Sequence, residues 1–340
     1  MALKFQIDYL VNLGFIKACV NVGADRHMGI IKIEDISHVR FRAPDLSLMQ
    51  NFLEAFGLTV AARDETHLIM RAHGPAPFSH STEKGEPEFV ALGLRAASGD
   101  DLRILAAADG VAVEPFDMPG GGQVVRLTDP DGRLVEVVAE QSMANPLPVD
   151  ERRAVNTGLS HPRQSETIRI ASGPATVMRL GHVVLDVSDF RMVEEWYKRR
   201  FGFITSDEIE LAPDQPIGAF LRCDLGDLPT DHHTLFLLQA HENPGFNHAA
   251  FEVLDINEVM RGHEHLKAQG HEASWGIGRH ILGSQIFDYW RDPWGHELEH
   301  WTDGDLFTAA DGSNKATLDD LLAVQWGMLH PVVAAMQEEE

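Results

Sequence analysis

Residues 296–300 read HELEH, which fits the H-E-x-x-H pattern of zinc proteases. That chemistry needs both histidines on one face of a helix, one turn apart. The flanking D-P-W-G and WTDGD leave little room for a helix, and the residues between them suit a strand. On a strand His296 and His300 lie on the face opposite Glu297 and Glu299. Glu299, which shares its face with Glu297 and Trp301, is then a candidate metal ligand. His182 and His248 fall in two further short strand-like runs. Two imidazoles and one carboxylate from three strands of a curved sheet can occupy one side of an octahedral ion. The other side stays open, as in the non-haem iron(II) oxygenases. Read without context, the same three residues are equally ordinary polar groups at strand ends.

An internal repeat gives the context. DISHVRFRAPDLSLMQNFLEAFGL and RLGHVVLDVSDFRMVEEWYKRRFGF each contain a strand with a histidine, an aspartate suited to N-capping, and an amphipathic helix closed by Gly57 or Gly202. His38 thus matches His182. The copies end alike, in LTDPDGRLVEVV and WRDPWGHELEHW, strand, D-P-x-G turn and returning strand, so that Glu136 matches Glu299. His248 falls opposite Phe89. From His38 to Glu136 is 98 positions and from His182 to Glu299 is 117, so the second copy has gained segments, around CDLGDLPTDHH and ASWGIGRHILGSQ. The first copy therefore reads as a former metal site beside a working one. Residues 1–30 form an N-terminal extension, 31–145 the first module, 146–178 a linker, 179–305 the second module and 306–340 a tail. Thr317 could N-cap a helix in that tail that covers a pocket.

Size and charge narrow the partners. A chain of 340 residues that is 44% apolar can bury a substantial core, and its organisation in two modules fits that length. With 28 basic against 52 acidic residues, a net charge of -24 argues against nucleic acid or an anionic membrane as partner and for a small molecule. The two cysteines, Cys19 and Cys223, suit a reducing cytoplasm, and no stretch near the start reads as a secretory or membrane segment. Eighteen histidines raise the prospect of metal or acid–base chemistry. Of these, His241, His263, His265 and His271 lie in polar or helical stretches and read as solvated.

With these features in place, GRHILGSQIFDYWRDPWGHELEHW resembles the terminal signature of the type I extradiol ring-cleavage dioxygenases, in the vicinal oxygen chelate superfamily. The resemblance spans roughly residues 34–305. It implies an α+β fold of two tandem modules, each of paired β-α-β-β-β units forming a curved, cup-like mixed sheet. It assigns the metal to His182, His248 and Glu299. His233, fifteen positions before the second ligand, His280 after GR, and Tyr289, ten before the glutamate, match further family positions. The implied activity is cleavage of a catechol ring beside its two hydroxyl-bearing carbons, giving a semialdehyde or keto acid. Fe(II) is the implied cofactor, Mn(II) suits the same ligands, O2 is the co-substrate, and a homo-oligomer is implied. His233 would be the acid–base residue, with its neighbour His232 on the opposite face if this segment is a strand, while His280 would bond a substrate oxygen and Tyr289 a developing oxyanion. The chain departs from the pattern at Asp288, where an apolar residue is usual, and at the D-P-W-G turn. Two other activities use this scaffold: a glyoxalase-like metal-dependent lyase or isomerase, and a non-enzymatic resistance-type binding protein. Ligands gathered in one module, with His233, His280 and Tyr289 beside them, favour ring cleavage.

Overall fold

A computed structural model describes residues 29–150 and 154–338, so all but the last two residues of the N-terminal extension lie outside the described residues. In the first module the chain runs β1 (Ile33–Ala43), α1 (Leu46–Phe56), β2 (Thr59–Arg63), β3 (His67–Arg71), β4 (His80–Lys84), β5 (Glu88–Ala96), α2 (Gly99–Asp109), β6 (Val113–Pro115), β7 (Gln123–Thr128) and β8 (Leu134–Ala139). These are two successive β-α-β-β-β units. The second module repeats the plan as β9 (Val177–Val187), α3 (Phe190–Phe201), β10 (Ile204–Ala212), β11 (Gln215–Arg222), a short β12 (Thr230–Asp231) and β13 (Leu235–Gln239). Its second unit is β14 (Gly245–Val253), α4 (Ile256–Ala268), β15 (Glu272–His280), β16 (Ile286–Arg291) and β17 (Glu297–Thr302). The tail adds β18 (Leu306–Phe307), β19 (Asn314–Thr317), α5 (Leu318–Leu322), β20 (Val324–Gly327) and α6 (Pro331–Glu338).

The capping read from the sequence is present. Asp45 accepts from the backbone of Ser47 and Leu48 at the start of α1, which ends at Gly57 with φ 113°. Asp189 and Gly202, φ 69°, do the same for α3. Each side chain satisfies amides that the first helical turn leaves unpaired, and each glycine adopts a left-handed conformation at no steric cost. Leu46, Met49, Phe52, Leu53 and Phe56 recur at helical spacing and are buried against the sheet.

Strand order in the first sheet is β2-β3-β4-β1-β5-β8-β7-β6. The second has the equivalent order with one strand added at each edge, β19-β10-β11-β13-β9-β14-β17-β16-β15-β20. In both, the central strand pairs in parallel on one side and antiparallel on the other: β1 with β4 and β5, β9 with β13 and β14. One buried apolar cluster runs through both modules, from Ile31 to Leu298. Across this junction His300 donates from Nε2 to the carbonyl of Phe56 at 2.7 Å, its ring stacked 3.8 Å from the phenyl. Among the described residues no helix is long and apolar enough to cross a membrane.

Registers correct the alignment of the two copies. His182 pairs with Ala250 and His38 with Gly93, so the position equivalent to His248 is Ala91 and not Phe89. Glu299 and Glu136 do correspond, each lying beside that paired residue, and Tyr289 has Arg126 as its counterpart. A second correction concerns His263, which is half-buried on α4 and bonds the buried Asp288 at 3.1 Å rather than standing free in solvent.

Two core histidines set an acid limit. Burial holds His80 down to about 3 and His300 to about 4, the latter partly offset by its bond to Phe56. An unfolded histidine titrates near 6.5, so the unfolded chain binds more protons across that interval. The stability of the neutral forms is present above pH 6.5 and is lost as pH falls through the folded values. Burial raises Asp35 and Asp186 to about 6, which acts in the opposite sense below pH 6, so a comparison with the parent isolates the histidine contribution. His80 stacks flat on Phe41 and its Nδ1 lacks a partner. His80→Leu should therefore flatten, without abolishing, the decline of the melting temperature from pH 6.5 to 4. An unchanged slope would remove His80 from the account.

Candidate metal centre and substrate cavity

Three central strands of the second sheet bring His182, His248 and Glu299 together, with β14 between β9 and β17. Their candidate ligand atoms lie within 4.8 Å of one another. His182 Nε2 is 3.3 Å and His248 Nε2 3.4 Å from the same glutamate oxygen, Oε2. Glu299 is fully buried, and neither of its oxygens has a hydrogen-bond donor. A buried carboxylate without donors is costly unless a cation meets it. Atoms bound to one ion at about 2.1 Å stand roughly 3 Å apart at right angles, and the observed separations suit that arrangement. The donor set therefore fits a divalent metal ion.

A neighbouring side chain fixes the orientation of His248. Its Nδ1 donates to Asn247 Oδ1 at 2.8 Å, leaving Nε2 bare on the side of Glu299. Asn247 in turn donates to the half-buried carboxyl of Asp186 at 3.2 Å. Such outer partners set the tautomer and the ring angle of a ligating histidine. Asn247 was not legible as a site residue, since only the folded strand shows where its amide points.

The other expected residues gather at the same place. A cavity of about 370 Å³ is lined by His182, His233, His248, His280 and Tyr289. The His233 ring lies 4.0 Å from that of His182. His280 Nε2 shares a 3.1 Å hydrogen bond with the Tyr289 hydroxyl and stands 3.9 Å from Glu299 Oε1. Burial keeps the His280 ring neutral, down to about 4, and together with the charge of Glu299 holds the Tyr289 phenol well above its ordinary range. Burial and the surrounding imidazoles keep His233 neutral as well, which leaves it able to accept a proton.

One local expectation is overturned. Residues 232–234 form a bend between β12 and β13, so strict alternation does not apply and His232 does not face away from His233. Both rings are buried and their Nδ1 atoms are 3.1 Å apart. Trp275 lines the cavity beside His280 and Tyr289; Trp301 lies 5.9 Å from the His182 ring, and Trp290 packs against His263 on the other side of the sheet. His296 and His300 take no part: His296 bonds Asp292 and His300 bonds Phe56.

The rest of the cavity is mixed: Phe220, Phe236, Leu238, Phe246 and Leu282 form apolar walls, and Asp186, Gln285, Glu297 and His330 are among its polar ones. Leu321, Leu322, Pro331 and Val332 from the tail complete it. Thr317 does cap the short α5 and forms a capping box with Asp320. Arg291 is the one lysine or arginine among the described lining residues, and it is held by Glu272 at 2.7 Å and Glu297 at 3.1 Å. Arg279 turns away to Asp303 and the Ser284 carbonyl.

In the first module the corresponding space is filled by protein. His38 Nε2 meets Glu136 Oε2 at 2.9 Å, while Arg40 and Arg126 donate to Oε1 at 2.9 and 3.0 Å. Burial alone would raise the Glu136 carboxyl, but these partners bring it down to about 2. Arg126 occupies the position of Tyr289 and Ala91 that of His248, so a ligand is missing and two guanidiniums supply the positive charge.

Residues 179–300 match the model of the Glyoxalase/Bleomycin resistance protein/Dioxygenase superfamily. Metapyrocatechase 2 of Cupriavidus necator is 30% identical over 300 residues, covering 87% of this chain and 89% of that protein. Two solved structures share the fold. The Mn(II)-bound glyoxalase from Novosphingobium aromaticivorans has a TM-score of 0.70 at 23% identity, covering 88% of this chain and 93% of the other. The 2,3-dioxygenase LapB from Pseudomonas sp. KL28 also has a TM-score of 0.70, at 18% identity, covering 86% and 100%.

Proposed function

The chain belongs to the extradiol ring-cleavage dioxygenases of the vicinal oxygen chelate superfamily, and we propose that it opens a neutral catechol bearing an apolar substituent, using O2 and a metal held by His182, His248 and Glu299. We take the metal as Fe(II), with Mn(II) suited to the same ligands. Bound there, the ion would acidify the catechol hydroxyls and bring the ring and O2 together for electron transfer between them. His233 takes a hydroxyl proton from the catechol and later returns a proton to oxygen. The Tyr289 hydroxyl, paired with His280, donates to the oxygen on which negative charge grows. The apolar walls and the tail exclude water, which strengthens each of these contacts. In this reading residues 179–305 are the catalytic module, residues 31–145 carry the vestigial site, and the segment from 306 onward is a lid. We place the enzyme in the cytoplasm as a homo-oligomer. The low cysteine content and the buried, unpaired Cys223 suit a reducing compartment.

The observation that carries this reading is the donor-free carboxylate of Glu299, faced by two imidazoles at a cavity with an apolar wall. Substrate class follows from the walls. A carboxylated catechol would bring its charge beside Asp186 and Glu297, and the one guanidinium there is already paired. Burying such a charge unpaired costs several kcal/mol. In an oxygen electrode the iron-loaded chain should consume O2 with alkyl- or aryl-substituted catechols at a kcat/KM at least about 10²-fold above carboxylated ones. No uptake across the panel would sink the dioxygenase reading. Uptake favouring the acids would sink the choice of substrate.

A further inference from the structure

Behind His233, on the side away from the cavity, is a second imidazole and then a carboxylate. His232 Nδ1 is 3.1 Å from His233 Nδ1, and His232 Nε2 is 2.7 Å from Asp207 Oδ2. His232 and Asp207 are both buried, and neither lines the cavity that His233 faces. The imidazole is clamped on several sides. Its backbone carbonyl accepts from Ser206 Oγ at 2.5 Å, and its amide donates to the carbonyl of Asp305. Phe220 and Phe307 pack against its ring at 5.1 and 5.5 Å. A Cβ on Gly283 would come within 3.0 Å of its Nδ1, so that residue has to be glycine or nearly so. A ring held this tightly and shut off from the cavity needs a reason to stay polar.

Donor and acceptor counting supplies one. A carboxylate only accepts, so His232 Nε2 carries a hydrogen and donates to Asp207. In a neutral ring Nδ1 is then the acceptor. The facing His233 Nδ1 must accordingly carry the hydrogen, which leaves His233 Nε2 as a bare lone pair. We infer that Asp207 and His232 are positioning residues that lock His233 in the Nδ1–H tautomer, with Nε2 ready to take the hydroxyl proton of the catechol. When that proton arrives on Nε2, the hydrogen on Nδ1 remains shared with His232, and the Asp207 carboxylate balances the charge. This inference rests on the proposed role of His233 but makes a claim of its own, about the tautomer.

The test uses two readouts. In the full-length chain loaded with Zn(II) as a diamagnetic ion, 15N spectra of the imidazoles should show His233 protonated at Nδ1 and bare at Nε2. His232→Phe, which fits among aromatic neighbours but cannot accept, should shift His233 toward the Nε2–H form. In the iron-loaded enzyme it should lower kcat by about ten- to a hundredfold, the size usual for partners one shell out, with KM and metal content little changed. His232→Gln has an amide that can both accept from His233 and donate to Asp207, and should restore most of kcat. If His232→Phe does not fold, Asp207→Leu removes the anchor and should blur the tautomer preference in the same spectra. An Nε2–H tautomer in the parent would overturn the inference, as would parental kcat and spectra in His232→Phe. These failures are distinct from that of the reading beneath, which would show as full turnover in His233→Asn.

Discussion

Glu299→Gln is expected to abolish metal binding while leaving the chain folded. The two carboxylate oxygens are buried, lack donors and face the Nε2 atoms of His182 and His248. A glutamine there has the same shape but no charge, and its amide nitrogen cannot ligate. Removing an outer partner of a ligand typically costs 10–100-fold in metal affinity, so removing a ligand should cost more than about 10²-fold. Metal analysis of protein loaded anaerobically with iron should fall to background, and oxygen consumption should fall with it. Stability should move the other way when the ion is absent, because the substitution removes a buried charge. A metal-free variant melting at or above the metal-free parent, with no iron retained, is the expected pair of results. Full iron retention with parental turnover would show that the ligand set is wrong.

His233→Asn should give the second largest loss, and of a different kind. Metal content should hold, because no ligand changes, and KM should move little. The fall should be in kcat, by roughly 10² to 10⁴-fold, the range for a positioned acid–base group. Single-turnover oxygen consumption separates this from slow product release. A variant that loses iron instead would make His233 part of the ligand support, its ring being only 4.0 Å from that of His182. Retained kcat would remove it from the chemistry.

Much of this was legible in the chain itself, for identifiable reasons. The two-module fold was readable because capping aspartates, closing glycines and D-P-x-G turns are local signals, and they recur in order in both copies. HELEH could be read as a strand rather than a helix because of its flanking turns, and the structure places residues 297–300 in β17, with Glu297 and Glu299 toward the cavity and His296 and His300 bonded elsewhere. Register was where local signals ran out. Phe89 and Ala91 lie two residues apart, but a bulge between them pairs Phe89 with Phe41 and Ala91 with the adjacent Arg40, an irregularity that period-two alternation does not foresee. His232 was misplaced because two adjacent residues were assigned opposite faces, whereas the backbone bends there. Asn247, Asp207 and the tail residues that complete the cavity carry no spacing rule at all. Their roles come from contacts between segments as far apart as residues 184 and 332, which only the folded chain brings together.

The two guanidiniums on Glu136 have a consequence for how the molecule depends on its surroundings. A chain made of two like halves would by symmetry take up two ions, and would be half-loaded whenever the supply ran short. Arg40 and Arg126 are positive charges encoded in the sequence, effectively always protonated, and they repel any cation approaching that carboxylate. With the metal held as proposed in the second module, the expected stoichiometry is one ion per chain. On that reading scarcity of the ion would silence the second module, while the centre of the first, its carboxylate already met by two guanidiniums, would be unaffected.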